Sequence, residues 1–161
     1  MKRQCLMGLF ALFALLITMT SCGSGDAPPD GAVREWEQEQ AWERQAEREE
    51  EERQERIAYE AEEAGAIDWE DAADHIGEYV TIFGTVEEVS QPGANGDPIF
   101  VDIGNAYPGD RVTGVCWSEY HSAFDDLFSY EGEPVLMEGT LYMNDGTPNI
   151  ELTDSFQIKA L

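Results

Sequence analysis

Basic side chains are the scarcest component of this sequence. The 161 residues include nine Lys and Arg against 34 Asp and Glu, which gives a formal net charge of −25. From Asp68 to Leu161 there are 19 acidic side chains and only two basic ones, Arg111 and Lys159. Such a surface repels phosphate backbones and anionic lipid headgroups, so the charge disfavours both as ligands. Acidity on this scale also promotes solubility and suits a saline medium.

Cysteines and catalytic motifs are also scarce. Cys5, Cys22 and Cys116 allow neither a disulfide framework nor a CxxC metal site, because two of them lie in the leader region. No glycine-rich dinucleotide motif, P-loop, HExxH or GxSxG pattern occurs. Cys116 lies in a predicted strand, where a free cysteine is usually an inert small hydrophobe. We therefore predict that the protein is not an enzyme and binds neither a metal nor a cofactor.

Only one long apolar run is present, from Leu6 to Met19, and Lys2 and Arg3 precede it. The run is short for a bilayer span but typical of the core of an export signal. It ends in Met-Thr-Ser before Cys22. We expect residues 1–21 to be a signal peptide.

The junction at Cys22 resembles the lipobox of bacterial lipoproteins, in which small residues precede a cysteine that is lipidated and becomes the mature N-terminus. The departure is Met19, where that motif usually has Leu. The resemblance implies palmitate among several acyl chains on Cys22, enough for stable membrane attachment. It also implies a bacterial cell-envelope location, and Gly23 favours the outer membrane, facing the periplasm or the cell surface. The alternative is an ordinary cleaved signal that leaves Cys22 as a free thiol.

Two further segments precede the folded domain. Residues 22–32 contain three Gly, two Asp, one Ser and the pair Pro28-Pro29, a composition typical of a flexible tether. Residues 33–66 are rich in Glu, Gln, Arg and Ala, with Glu placed four residues before Arg at several positions. Their apolar residues are too sparse for a heptad seam. We predict a solvated acidic spacer, either helical or disordered.

The remaining domain, residues 67–161, contains one internal repeat. The pattern of residues 77–86, GEYVTIFGTV, returns at residues 132–141 as GEPVLMEGTL. In both copies a Gly-Glu turn begins a β-rich run that a second glycine, Gly84 or Gly139, interrupts at the same place. Such glycines favour a sharp bend or a close approach between strands, as small closed barrels require.

The order of elements predicts an all-β, five-stranded OB-fold barrel. One short helix is expected before strand 1, with Trp69, Ala72, Ala73 and Ile76 on its buried face, and a second over residues 122–128 between strands 3 and 4. Alternating apolar residues between turn signals place the strands at residues 79–89, 99–103, 112–118, 135–143 and 149–153.

From Trp69 to Leu161 the sequence resembles the bacterial OB-fold domains of the tRNA-anticodon-like group, which are often labelled nucleic-acid binding. The matching features include Ala72-Ala73 with Ile76-Gly77, the run Phe100 to Gly104, and Tyr107-Pro108. The resemblance implies a ligand-binding face on the middle strands and their loops. On this chain that face would carry six residues: Phe100, Asp102, Arg111, Trp117, Tyr120 and Tyr142.

The scarcity of basic residues on this face disfavours nucleic acid as its ligand. Binding of single strands needs a basic groove as well as stacking aromatic rings, and here only Arg111 is basic. We therefore expect a non-catalytic binding module that is attached to the membrane through the lipid on Cys22 and docks a protein or envelope component. The alternative is binding of single-stranded nucleic acid or oligosaccharide on the same face.

Overall fold

The computed structural model describes residues 30–93 and 97–161. The chain divides into two units, residues 1–42 and residues 43–161. The predicted signal peptide, the lipidation site Cys22 and most of the predicted tether lie outside the described residues and stay predictions. Across the described ranges, no helix is long and apolar enough to cross a membrane.

The acidic segment forms one helix, α1, at Asp30–Glu63. Neighbouring side chains support it, since the Glu50 carboxylate accepts hydrogen bonds from Arg53 and Gln54 one turn later. Most of the described side chains on α1 are solvent-exposed. Its last turns differ, because Ile57 and Ala61 are buried, at 3% and 8% exposure. Their spacing of four residues places both on one helical face, which packs within the second unit.

After α1, the described residues form seven strands: β1 (Ile67–Asp68), β2 (Tyr79–Ser90), β3 (Ile99–Ile103), β4 (Val112–Cys116), β5 (Pro134–Asn144), β6 (Thr147–Glu151) and β7 (Ile158–Ala160). Five of them close a barrel in the order β2, β3, β4, β6, β5, and β5 pairs back with β2. The β4–β6 pair is parallel, whereas the other four barrel pairs are antiparallel. This topology is an OB-fold, so the predicted fold class is confirmed.

The two additional strands extend one side of the barrel. The short β1 pairs in parallel with β2, and β7 pairs antiparallel with β5. Lys159 on β7 pairs with Leu136 on β5, and its ammonium group lies 3.0 Å from the Glu60 carboxylate of α1. The last turns of α1 therefore lie beside the outer face of the β5–β7 pair.

The barrel interior is filled by aliphatic side chains that alternate along the strands. On β2, for example, Ile82 and Val86 are fully buried, and Thr85 between them is exposed. The other fully buried large aliphatic side chains of the interior are Val101, Ile103, Val112, Val135, Met137, Leu141, Ile150 and Leu152. This alternation fixes which residues of β3 and β4 face outward.

The two copies of the internal repeat lie on β2 and β5. Each of these strands pairs with one neighbour along its first part and with another neighbour along its second part. β2 pairs with β5 up to Thr85 and with β3 from Val86 onward, with a register shift just after Val86. β5 likewise pairs with β2 up to Thr140 and with β6 from Leu141 onward. In each strand the repeated glycine lies two residues before the first residue that pairs with the new partner, close to where the bend is predicted.

Close packing explains why both positions are glycine. A Cβ atom on Gly84 would overlap the Cγ2 atom of Ile103, and it would lie 2.8 Å from the Trp69 ring. A Cβ atom on Gly139 would lie 2.5 Å from the Cγ2 atom of Ile150. At these two bends a side chain of the neighbouring strand, Ile103 on β3 or Ile150 on β6, comes too close for a side chain at the glycine position.

The segment before β2 is a 3₁₀ helix at Trp69–His75. Asp68 caps it, accepting a hydrogen bond from the Glu70 backbone at 3.0 Å. The predicted buried face was wrong in part, because Ala73 and Ile76 are exposed. A 3₁₀ helix has three residues per turn, which aligns Trp69 with Ala72 rather than with the α-helical positions.

The connection between β4 and β5 also differs from the prediction. In place of one helix over residues 122–128, two 3₁₀ helices occur, at Ser118–Ala123 and Leu127–Tyr130. Asp126 separates them in an extended conformation and accepts a hydrogen bond from the Phe128 backbone at 3.0 Å. Asp126 lies within the predicted helix and caps the second 3₁₀ helix. Because a capping residue is not itself helical, no single helix continues through it.

Candidate functional site

The candidate binding face is the outer side of β3 and β4. On β3, Phe100 and Asp102 alternate with the core residues Val101 and Ile103, so they face outward. On β4 the outward positions opposite them are Val115 and Thr113, respectively. Both β4 residues are nevertheless buried, at 2% and 5% exposure. This face is therefore partly covered by other parts of the domain.

An ion pair lies on this face. Nε of Arg111 is 3.2 Å from Oδ1 of Asp102, and the two side chains are only 14% and 7% exposed. The same carboxylate oxygen accepts a hydrogen bond of 2.6 Å from the Thr113 hydroxyl. Opposite charges in a poorly hydrated position attract strongly but also lose hydration, so each depends on the other. The charge of Arg111 is compensated by Asp102.

The remaining contacts of Arg111 hold it in place. Its Nη1 atom donates a hydrogen bond of 2.8 Å to the Gly109 carbonyl. Its guanidinium carbon lies 5.0 Å from the centre of the Tyr107 ring, a cation–π distance. Tyr107 itself is 73% exposed. One face of the ring is thus backed by a fixed cation, while much of the ring stays accessible to solvent.

Beside this ion pair is a cleft of about 650 Å³, called here the Trp69 cleft. Three parts of the domain line it. The 3₁₀ helix contributes Trp69, Glu70 and Ala73, and the β3–β4 loop contributes Asn105 and residues 108–111. The β5–β6 turn contributes Gly146, and the start of β6 contributes Thr147 and Pro148. Its volume lies within the range of ligand-binding clefts. The carboxylates that line it belong to Glu70 and Asp110.

The Trp69 ring is a fixed wall of this cleft. It packs against the hydrophobic core, and two glycines leave room for it. A Cβ atom on Gly104 would overlap the ring, and one on Gly84 would lie 2.8 Å from Cδ1. Gly104 also has a φ of +100°, in the region that favours glycine. The indole is therefore positioned by residues distant in sequence.

The structure brings some of the predicted face residues together and separates others. Asp102 and Arg111 are in contact, and Phe100 lies two residues along the same outer face. Tyr142 on β5 is 37% exposed, and Trp117 just beyond β4 is 44% exposed. Tyr120 packs against the hydrophobic core. The prediction of these six residues as a ligand face stays a prediction.

The Trp69 cleft was not foreseen from the sequence. The sequence predicts Trp69 only on a packing face, and Glu70 and Asp110 are not among the predicted site residues. The available signal was the density of turn residues from Gly104 to Asp110, which indicates a structured loop at one end of the barrel. Its proximity to the 3₁₀ helix depends on the closed topology.

Cys116 lies in an environment that suppresses thiol chemistry. Its side chain is fully buried, and this burial raises the pKa of the thiol to about 11. At neutral pH the thiolate that acts as nucleophile or metal ligand is therefore very rare. Within residues 30–93 and 97–161, no group of three or more His, Cys, Asp or Glu side chains is arranged to hold a metal ion.

No protein-family model matches this sequence, and no curated protein matches it. Similar solved structures include a protein described as an aspartyl-tRNA synthetase from Leishmania major Friedlin, with 12% identity and a TM-score of 0.40 over 59% of this chain. Another is OBody AM1L10 bound to hen egg-white lysozyme, with 19% identity and a TM-score of 0.37 over 55% of this chain. The matches cover 20% and 83% of those chains, respectively, so this chain spans about a fifth of the synthetase. Such similarities concern the fold alone.

Proposed function

We propose that this protein is a non-catalytic, lipid-anchored OB-fold module of the bacterial cell envelope that docks a protein or envelope component with a basic surface. The observation that carries the proposal is the pairing of Arg111 with Asp102. Among the residues that the structure describes, Arg111 is the single basic residue near the candidate face, and Asp102 compensates its charge. The other basic residue after Asp68, Lys159, is paired with Glu60.

This charge arrangement argues against nucleic acid as the ligand. Nucleic-acid binding gains much of its free energy when basic side chains replace the counterions of the phosphates. A domain with a net charge of −17 and, in its described part, no uncompensated basic residue on the face has little to gain from that exchange. The same acidic surface attracts basic proteins over distances of about 10 Å at 0.1 M salt.

The lipid anchor is the part of the proposal that rests on the N-terminal sequence. The apolar run from Leu6 to Met19 and the small residues before Cys22 support it. It is tested by metabolic labelling with a clickable palmitate analogue in bacteria that express the full chain. We expect label on the protein and none on a Cys22→Ser variant, whereas Cys5→Ser, a matched control in the leader, keeps the label.

The docking function is tested by affinity capture from detergent-solubilised bacterial envelope with the full chain as bait. We expect recovery of a protein with a basic surface, lost as the salt concentration rises from 50 to 500 mM, since salt screens exposed charges. Denatured bait is the control. Capture that is indifferent to salt, or recovery of acidic partners only, would contradict the proposal.

Oligosaccharide binding is the second candidate function, and the exposed aromatic rings favour it. Tyr107, Trp117 and Tyr142 each present at least 37% of their surface, and aromatic rings can stack on the apolar faces of sugars. A Trp117→Ala, Tyr142→Ala variant separates the two ideas. Loss of sugar binding with intact salt-sensitive protein capture would assign these rings to a carbohydrate.

A further inference from the structure

The Trp69 cleft offers unpaired negative charge beside a fixed aromatic ring. Glu70 and Asp110 are both exposed and line the cleft. Among the described residues, neither carboxylate takes part in a hydrogen bond or ion pair with another side chain. The third charged group of the cleft, Arg111, is already compensated by Asp102. The local field of the cleft is therefore that of two carboxylates.

The other groups that line the cleft are either apolar or held by a hydrogen bond within the loop. The Trp69 ring packs against the core, and Pro108 and Pro148 line the cleft as well. The Asn105 side chain donates a hydrogen bond of 2.8 Å to the Asp110 backbone carbonyl, which fixes the loop beside the carboxylate. The cleft thus presents apolar walls and negative charge in a shape that needs little rearrangement on binding.

We infer that the Trp69 cleft is the docking site of the module, and that its occupant is an extended segment of a partner protein that carries arginine side chains. This inference rests on the proposed function and adds the place and chemistry of the contact. Charge complementarity supplies the argument: a guanidinium is the group that both pairs with carboxylates in a fork geometry and stacks on an indole. The aliphatic stem of arginine would lie along the proline and indole walls.

The cleft should bind arginine more tightly than lysine, and this preference can be measured. Diffuse attraction to an acidic surface depends on charge and does not distinguish the two side chains, whereas stacking and two-point hydrogen bonding favour the planar guanidinium. A preference for arginine that depends on Glu70 and Asp110 would therefore indicate a defined site. Equal binding of both peptides would indicate diffuse attraction.

The experiment titrates the full chain in neutral detergent with fluorescent peptides of alternating Gly-Arg, Gly-Lys and Gly-Glu. The cleft variant is Glu70→Gln with Asp110→Asn. The matched control is Glu119→Gln with Asp125→Asn, which changes the net charge equally at exposed positions that do not line the cleft. We expect the Gly-Arg peptide to bind most tightly, and the cleft variant to weaken it roughly five- to tenfold, against less than twofold for the control.

Each other outcome overturns the inference, and the outcomes separate it from the proposed function. Equal weakening by both variants, or no preference for arginine, would show diffuse binding and remove the cleft as the site, while salt-sensitive docking would stand. Absence of saturable Gly-Arg binding would also remove the cleft. If envelope capture fails as well, the proposed function falls with it.

Discussion

The Arg111 guanidinium and the Asp102 carboxylate lie 3.2 Å apart, Nε to Oδ1, on the outer side of β3 and β4, with little exposure of either side chain. A basic residue that could have served an anionic ligand is thereby made part of the scaffold. The loop that carries Arg111 also forms one wall of the Trp69 cleft. The ion pair therefore fixes that wall and removes positive charge from the face.

Removing one member of this pair is expected to destabilise the protein strongly. Asp102→Ala and Arg111→Ala should each lower the free energy of unfolding by about 3 kcal/mol, because the remaining charge is left buried without its partner. Urea denaturation followed by circular dichroism measures the change. The double variant Asp102→Leu, Arg111→Met is the control, and it should cost less than either single substitution. Single variants that cost under about 1 kcal/mol would show that solvent already compensates both charges.

Replacing either repeated glycine by a residue with a side chain is expected to destabilise the protein. Gly84→Ala and Gly139→Ala should each lower the free energy of unfolding by about 1–3 kcal/mol, since the new methyl group meets Ile103 and Trp69 or Ile150. Thr140→Ala, at the exposed neighbour of Gly139, should change it by less than about 0.5 kcal/mol. Thermal or urea unfolding compares the three. Glycine variants as stable as the parent would mean that the bends do not need close packing.

The last turns of α1 are expected to contribute to the stability of the barrel unit. Ile57→Ala should lower the free energy of unfolding by about 2–4 kcal/mol because it removes a side chain that is 97% buried from a packed position. Glu55→Ala, an exposed substitution on the same helix, is the control and should be nearly neutral. Equal, small effects of both would show that α1 is a solvated spacer over its whole length.

Cys116 is expected to be unreactive towards thiol reagents in the folded protein. It is also expected to lower the free energy of unfolding as the pH rises into the alkaline range. In a Cys5→Ser, Cys22→Ser background, a thiol reagent at pH 8 should label Cys116 only after urea is added. Burial raises the thiol pKa from its ordinary value of 9.0 to about 11. The folded state therefore keeps the proton that the unfolded chain releases, and the free energy of unfolding should fall between pH 9 and 11.

A Cys116→Ala variant separates this contribution from other groups that titrate in the same interval. Its pH dependence between 9 and 11 should be shallower than that of the parent. Identical curves for the two proteins, or rapid labelling of the native parent at pH 8, would show that the thiol is accessible and that its pKa is close to the ordinary value.

The strands could be predicted from local patterns because each is bounded by turn residues. β3 was predicted with its observed ends, Ile99 and Ile103, since loop-forming residues flank it on both sides. The repeat likewise predicted the two long strands and their bends. The strands β1 and β7 were not predicted, because two- and three-residue segments have no periodicity to recognise.

What the sequence could not supply was contact between distant segments. Trp69 meets Gly84 and Gly104 only because the barrel closes, and Asp102 meets Arg111 only because β3 and β4 pair in one register. Tyr120, one of the predicted ligand-face residues, packs partly against the core, and its place on that face stays a prediction. Caps at Asp68 and Asp126 start two of the short 3₁₀ helices, and helical periodicity alone does not reveal these starts.

The central claim is that this OB-fold serves a basic partner and not nucleic acid, and one titration tests it most directly. Fluorescent oligo-dT and the Gly-Arg peptide are each titrated with the full chain at 50 mM salt and again at 300 mM. The account predicts saturable peptide binding that weakens as salt rises, and no saturable binding of the oligonucleotide at either salt concentration. Tight oligonucleotide binding at 50 mM salt, despite the net charge of −17 on the domain, would contradict the account.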